Sequence, residues 1–144
     1  LIKATITLNI DGLQQKAGSK KVIEAHGSLQ NLICLQCKQI VSATAEVLHS
    51  LPVQCPSCGG LLRPDILFYG DMMPVERNKS ALREANRAKV LLLIGVSGQT
   101  VPTGLIPMFA KRHSQTIIIE INTQRTRYTE GTTDVFIQAK AADA

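Results

Sequence analysis

The sequence predicts an α/β protein: an open parallel sheet into which a small four-cysteine module is inserted. Two observations predict the sheet. Residues 90–96 and 117–122 are apolar runs, each closing on a small or polar residue, and the segment between them has a helical pattern. Strand, helix, strand in that order implies parallel crossovers, and runs as predominantly apolar as these are those of strands buried on both faces. A third observation predicts the insert: from residue 34 to 62 sheet-like runs give way to cysteine, glutamine and proline. The module is therefore set at 32–62, leaving 1–31 and 63–144 to the main domain.

The elements follow in order. Residues 4–10, Ala-Thr-Ile-Thr-Leu-Asn-Ile, read as a strand that ends at Asp11-Gly12, and 22–25 as a short extended piece that ends at His26-Gly27-Ser28. Beyond the insert, 66–69 reads as another brief strand, closed by Gly70-Asp71. Residues 75–89 carry Leu82, Ala85 and Ala88 at helical spacing and predict an amphipathic helix. The run 90–96 is the next strand, Pro102 opens a helix to about residue 112, 117–122 is a strand, and 135–139 a last short one. Asn9, Asp11, Gly95, Ser97 and Asn122 all fall at carboxyl ends of strands, where open α/β sheets hold their ligands.

A chain of 144 residues with 44% hydrophobic content is long enough for one domain with a core. Aromatic residues make up 3% and Trp is absent, so core volume falls to Ile, Leu, Val and Ala. The net charge of +5 is modest; it suits an anionic ligand without calling for nucleic acid. No apolar run has the length of a membrane span, and Leu1-Ile2-Lys3-Ala4 lacks the pattern of a signal peptide, so a soluble, cytoplasmic protein with no membrane partner is expected. The absence of an initiator Met, with a strand-like opening, reads as a fragment.

Cys34-Leu35-Gln36-Cys37 and Cys55-Pro56-Ser57-Cys58 are two Cys-x-x-Cys pairs with 17 residues between them. Each pair places two sulfurs on one face of a tight turn, and two such turns close a tetrahedral four-thiolate site for a structural Zn²⁺. Gly59-Gly60 lets backbone approach the sulfurs with no Cβ in the way. The competing readings are two disulfides, which a cytosolic chain disfavours, and a redox motif, which needs only one pair. A nucleic-acid-binding zinc ribbon is also poorly supplied. Between Cys34 and Cys58 the only Lys or Arg is Lys38 and there is no Phe, Tyr or Trp, so no sequence-specific nucleic acid is expected.

Of the three histidines, His49 and His113 sit in polar, helix-like settings and read as surface residues. His26, before Gly-Ser at a strand end, is open to two readings: a hydrogen-bonded structural residue or an acid–base group.

Taken together, the motifs Thr7-Leu8-Asn9-Ile10-Asp11, Ala17-Gly18-Ser19, Glu24-Ala25-His26-Gly27-Ser28, the cysteine pairs, Leu62-Arg63-Pro64-Asp65-Ile66-Leu67-Phe68-Tyr69-Gly70-Asp71, Gly95-Val96-Ser97 and Ile121-Asn122 resemble the sirtuin family in its own order, along nearly the whole chain. The resemblance implies a Rossmann-like domain with a zinc module, NAD⁺ as co-substrate and an acyl-lysine protein or peptide as substrate. It implies removal of an acyl group from lysine, with His26 as general base on a ribose hydroxyl. By the same resemblance Asn9 and Asp11 recognise the nicotinamide amide, Gly95, Ser97 and Asn122 hold the adenosine half, and Ile66, Tyr69 and Gly70 belong to the strand to which the peptide adds.

The chain departs from the family at Leu8, where Gln is usual, and at Val96, Tyr69 and Asp71, where Thr, Phe and Glu are usual. The glycine-rich phosphate loop and the Pro-Asp-Phe-Arg-type segment after it have no counterpart in these residues. Weak or no turnover is therefore expected of the 144 residues alone, together with a tendency to self-associate. Two alternatives stand beside the deacylase reading: a catalytically degenerate, zinc-stabilised binding protein, and a protein ADP-ribosyltransferase that shares the nicotinamide-cleaving step.

Overall fold

β-branched Thr5–Thr7 forms strand β1, and Val22–Glu24 forms β2 parallel to it, in the register Thr5↔Val22 to Thr7↔Glu24. The computed structural model describes residues 2–49, 51–72 and 74–144, and it divides into two compact units, the first running to Arg77 and the second starting at Asn78. β1 is shorter than the strand expected over 4–10. The Thr7 hydroxyl accepts the Asn9 N–H at 3.1 Å and Asp11 Oδ1 accepts the Leu13 N–H at 2.9 Å, so side chains draw the backbone into turns that lead to helix α1, Leu13–Lys16.

After the turn at Ala25 and His26 the chain does not leave the sheet-forming state. It resumes as β3, Gly27–Cys34, which the sequence reading missed. β3 pairs antiparallel with β4, Ile40–Ser42, whose end leads to the short helix α2, Ala45–Leu48, capped by the Thr44 hydroxyl. On its other side β3 pairs antiparallel with β5, Leu62–Ile66. The strand expected at 66–69 is thus shifted: the ladder uses Arg63-Pro64-Asp65 and stops at Ile66. Pro64 is accommodated because it faces Leu32, where the register slips between Ser28 and Leu32 and the ladder does not require its missing N–H.

Helix α3, Val75–Arg87, buries Ala81 and Ala85 one turn apart and ends at Arg87, two residues short of the expected 89. In the second unit β6, Val90–Ile94, pairs parallel with β7, Ile117–Asn122, which pairs parallel with β8, Val135–Gln138. A 3₁₀ turn, Thr103–Leu105, and helix α4, Ile106–Ser114, form the crossover between β6 and β7. The α/β class with parallel strands and a four-cysteine module is as the sequence suggests, but the described strands fall into three sheets, β1–β2, β4–β3–β5 and β6–β7–β8.

Leu93 and Ile118 pack around Tyr128, which is wholly buried, with Leu91 and Val96 against them. This corrects two expectations. The largest fully buried side chain is an aromatic one, and β6 is buried on one face only: Val90, Leu92 and Ile94 stay 44–50% exposed. The inward face is the one whose alternate residues, Leu91 and Leu93, meet Tyr128. Among the described residues no helix is long and apolar enough to cross a membrane.

Candidate active site and metal centre

The two cysteine turns have the same backbone plan. In the first, the Cys34 N–H donates to Gln39 O and the Lys38 N–H to Cys34 O; in the second, the Cys55 N–H donates to Gly60 O and the Gly59 N–H to Cys55 O. The turns bring the four sulfurs within 4.8 Å of one another, with Cys34 to Cys58 at 3.5 Å and Cys37 to Cys55 at 3.8 Å. Sulfurs placed tetrahedrally at about 2.3 Å from one ion would lie roughly 3.8 Å apart, so the donor set and its size fit Zn²⁺ with no open position for substrate. All four cysteines are free, which sets aside the disulfide reading.

Backbone N–H groups favour thiolates at the two buried sulfurs. Those of Cys37 and Gln36 help hold Cys34 down to about 6, and those of Ser57 and Cys58 lower Cys55. At Cys37 the Gln39 N–H also lowers the pKa, but the Cys58 thiol, burial and the Cys34 and Cys55 thiols carry it up to about 12, so Cys37 keeps its proton. A Cβ on Gly60 would sit 3.1 Å from Cys34 Sγ, the close approach expected of the glycine pair, but a Cβ on Gly59 would meet nothing within 4 Å.

His26 occupies the turn between β2 and β3. Its carbonyl accepts the Leu67 N–H at 2.9 Å, and its Nε2 is buried with no hydrogen-bond partner among the described residues. Burial lowers its pKa from the usual 6.5, so the ring is neutral with an uncommitted nitrogen. Gly27 makes the turn possible. Its φ of +87° is costly for other residues, and a Cβ there would fall 1.9 Å from Asp65 O. Asp65, nearly buried, is satisfied by the Arg77 guanidinium. His49 and His113 are exposed, as read from the sequence, with His113 Nδ1 at 3.0 Å from Phe109 O.

The remaining expected residues fall into three groups. Asn9 and Asp11 are exposed on the loop after β1, and one Asp11 oxygen is committed to the Leu13 N–H. Ile66 ends β5, while Tyr69 and Gly70 lie on an exposed turn closed by the Asp71 N–H to Phe68 O at 3.0 Å, so these three do not share one strand. In the second unit Gly95, Ser97 and Asn122 do come together, at the carboxyl ends of β6 and β7: the Gly95 N–H donates to Ile121 O at 3.0 Å and Asn122 Nδ2 to Val96 O at 3.4 Å. The Ser97 hydroxyl accepts the Gln99 N–H at 3.4 Å.

The sequence reading missed what holds this second group. Glu120 is fully buried in β7 and accepts hydroxyl bonds from Thr126 at 2.5 Å, Thr129 at 2.9 Å and Thr133 at 2.7 Å, which pins the 123–134 connection. From that connection Tyr128 OH reaches Gly104 O at 2.6 Å and Arg127 Nη1 reaches Gly98 O at 3.0 Å. The signal was a single carboxylate within an apolar run with three threonines downstream; a charge in such a run must be paired when buried.

The Sir2 family model matches residues 2–102. Curated relatives include an NAD-dependent protein deacylase of Aeropyrum pernix, 36% identical over 143 residues that cover 99% of this chain and 57% of that protein. NAD-dependent protein deacylase 2 of Pyrobaculum aerophilum is 38% identical over 99% of this chain and 56% of its own length. The chain thus spans just over half the length of the curated relatives it matches. Among solved structures, a Sir2 homolog–NAD complex superposes with a TM-score of 0.86 at 36% identity, covering 99% of this chain and 55% of the other. A Sir2–p53 peptide–NAD⁺ complex gives 0.83 at 30% identity, covering 99% and 60%. With its cysteine cluster, its His26 turn and this match over most of its length, the chain belongs to the Sir2 family.

Proposed function

We propose that this chain serves an NAD-dependent protein-lysine deacylase, with an acylated lysine in a protein or peptide as substrate and NAD⁺ as co-substrate. The observation that carries the reading is His26: a neutral imidazole with an unpartnered nitrogen, set by Gly27 at the turn before β3, is poised to accept a proton. When bound, NAD⁺ would supply the ribose to which the acyl oxygen of the lysine bonds as the bond to nicotinamide breaks, so that nicotinamide leaves and the acyl group passes to the ribose. His26 takes a proton from a ribose hydroxyl. Asn9 and the second oxygen of Asp11 are the polar groups suited to an amide, and Gly95, Ser97 and Asn122 are those suited to the adenosine half. Tyr69 and Gly70, with Ile66 before them, are assigned to the peptide. Cys34, Cys37, Cys55 and Cys58 hold the structural Zn²⁺, and residues 32–62 are its module.

The test is incubation of the full-length protein with NAD⁺ and an acetyl-lysine peptide, followed by mass spectrometry, with His26→Ala as companion. Loss of the acyl mass with release of nicotinamide, abolished in His26→Ala, is expected. A peptide that instead gains ADP-ribose would favour the transferase. Leu8 favours a second reading, because it cannot make the hydrogen bonds of the glutamine usual there. On that reading the fold binds without turnover, and titration would show NAD⁺ binding with no acyl loss.

A further inference from the structure

Arg63, the second residue of β5, gathers the turn that follows its own strand. Its Nη1 donates to Ile66 O at 3.1 Å, its Nη2 pairs with Asp71 Oδ2 at 3.0 Å, and its guanidinium lies 5.4 Å from the centre of the Phe68 ring. The same Asp71 oxygen accepts the Phe68 N–H at 3.1 Å, and Asp71 returns its own N–H to Phe68 O. One side chain therefore fixes the carbonyl at which the strand ends, the carboxylate that closes the turn and the ring at its start. Only a planar fork of donors can do all three.

The commitments leave a pattern. Leu67 N–H goes to His26 O, and the N–H groups of Phe68 and Asp71 are used within the turn. Among the described residues, the backbone N–H groups of Tyr69 and Gly70 have no partner, and Tyr69 is fully exposed. A hollow of about 230 Å³ beneath the turn is walled by Leu67 and Met72 together with two ion pairs, Arg63–Asp71 and Arg77–Asp65. Both arginines are neutralised by their partners, so Arg63 is spent on the shape of the turn and is not free to bind an anion.

We infer that Arg63 is the positioning residue of the peptide-binding edge, holding the Phe68–Asp71 turn so that the backbone of Tyr69 and Gly70 is presented to the acyl-lysine peptide. This rests on the deacylase reading. The test compares Arg63→Ala and Arg63→Lys with the unsubstituted full-length protein by hydrogen exchange at the Phe68 and Asp71 amides, KM for an acetyl-lysine peptide, KM for NAD⁺ and bound zinc. Zinc is included because Arg63 pairs with Ile33, next to Cys34.

Arg63→Ala is expected to speed exchange at both amides and to raise the peptide KM about tenfold with NAD⁺ KM and zinc unchanged, the size set by loss of a charge-assisted hydrogen bond. Arg63→Lys, which keeps the charge but not the fork, should fall between. Faster exchange with an unchanged peptide KM, unchanged exchange, or an equal rise in both KM values would each overturn the inference. An unsubstituted protein that neither binds nor deacylates the peptide would instead overturn the deacylase reading, before any variant is compared.

Discussion

Lys38 and Gly59 occupy the same place in the two cysteine turns: each directly follows the second cysteine, and each holds left-handed backbone, at φ of 63° and 73°. Lys38 carries that strain with its ammonium on Leu35 O at 2.7 Å. No atom lies within 4 Å of where a Gly59 Cβ would go, so the cost of Gly59→Ala is one of backbone conformation alone. A loss of about 1 kcal/mol with full zinc content is expected in denaturant unfolding. Gly59→Asn should recover most of it, and equal losses for Ala and Asn would refute the backbone explanation.

Gly27→Ala is a different case, because its Cβ would meet Asp65 O at 1.9 Å as well as adopting an unfavourable φ. Neither the β3–β5 ladder nor the His26 turn can absorb that contact. A loss of more than about 3 kcal/mol, or failure to fold, is expected by thermal melting. A melting curve close to that of the unsubstituted protein would show that the turn is far more pliant.

Burial lowers the pKa of His26 below the usual 6.5, so near that pH the unfolded chain binds a proton that the folded chain refuses. The stability tied to this group is therefore present above about pH 6.5 and is lost as pH falls through the lowered folded value. Unfolding measured from pH 8 to pH 5 should show an acid loss that His26→Ala reduces. Direct titration of the ring by NMR gives the second check, and a midpoint at or above 6.5 would contradict it.

Tyr128→Phe removes only the hydroxyl that reaches Gly104 O at 2.6 Å in a wholly buried setting. The unpaired carbonyl should cost about 1–3 kcal/mol, read as a lowered denaturant midpoint with an unchanged slope. An unchanged midpoint would mean that water or a shifted loop replaces the bond.

What could be read in advance was whatever repeats or runs. The cysteine spacing announced the four-sulfur cluster, and 117–122 marked β7 to the residue, because a largely apolar run and a 2+2 ligand pattern both survive without tertiary context. The strand at Leu62–Ile66 was hidden because Arg63, Pro64 and Asp65 are poor strand formers, with Pro64 placed where the register slips opposite Leu32. The neighbouring Ile66-Leu67-Phe68-Tyr69 looked like a strand, but only Ile66 stays in one, because a guanidinium three residues earlier and a carboxylate at Asp71 bend the rest. The burial of Tyr128 depends on a partner 24 residues away, which no local pattern announces, whereas Glu120 stands out as the one carboxylate in its apolar run.

β3 runs from Gly27 to Cys34, so one eight-residue ribbon starts at the turn that holds His26 and ends on a sulfur of the metal cluster. An ion held by that cluster would thereby be a surveyor's peg for the imidazole: if its end of the ribbon wanders, the far end loses its bearing.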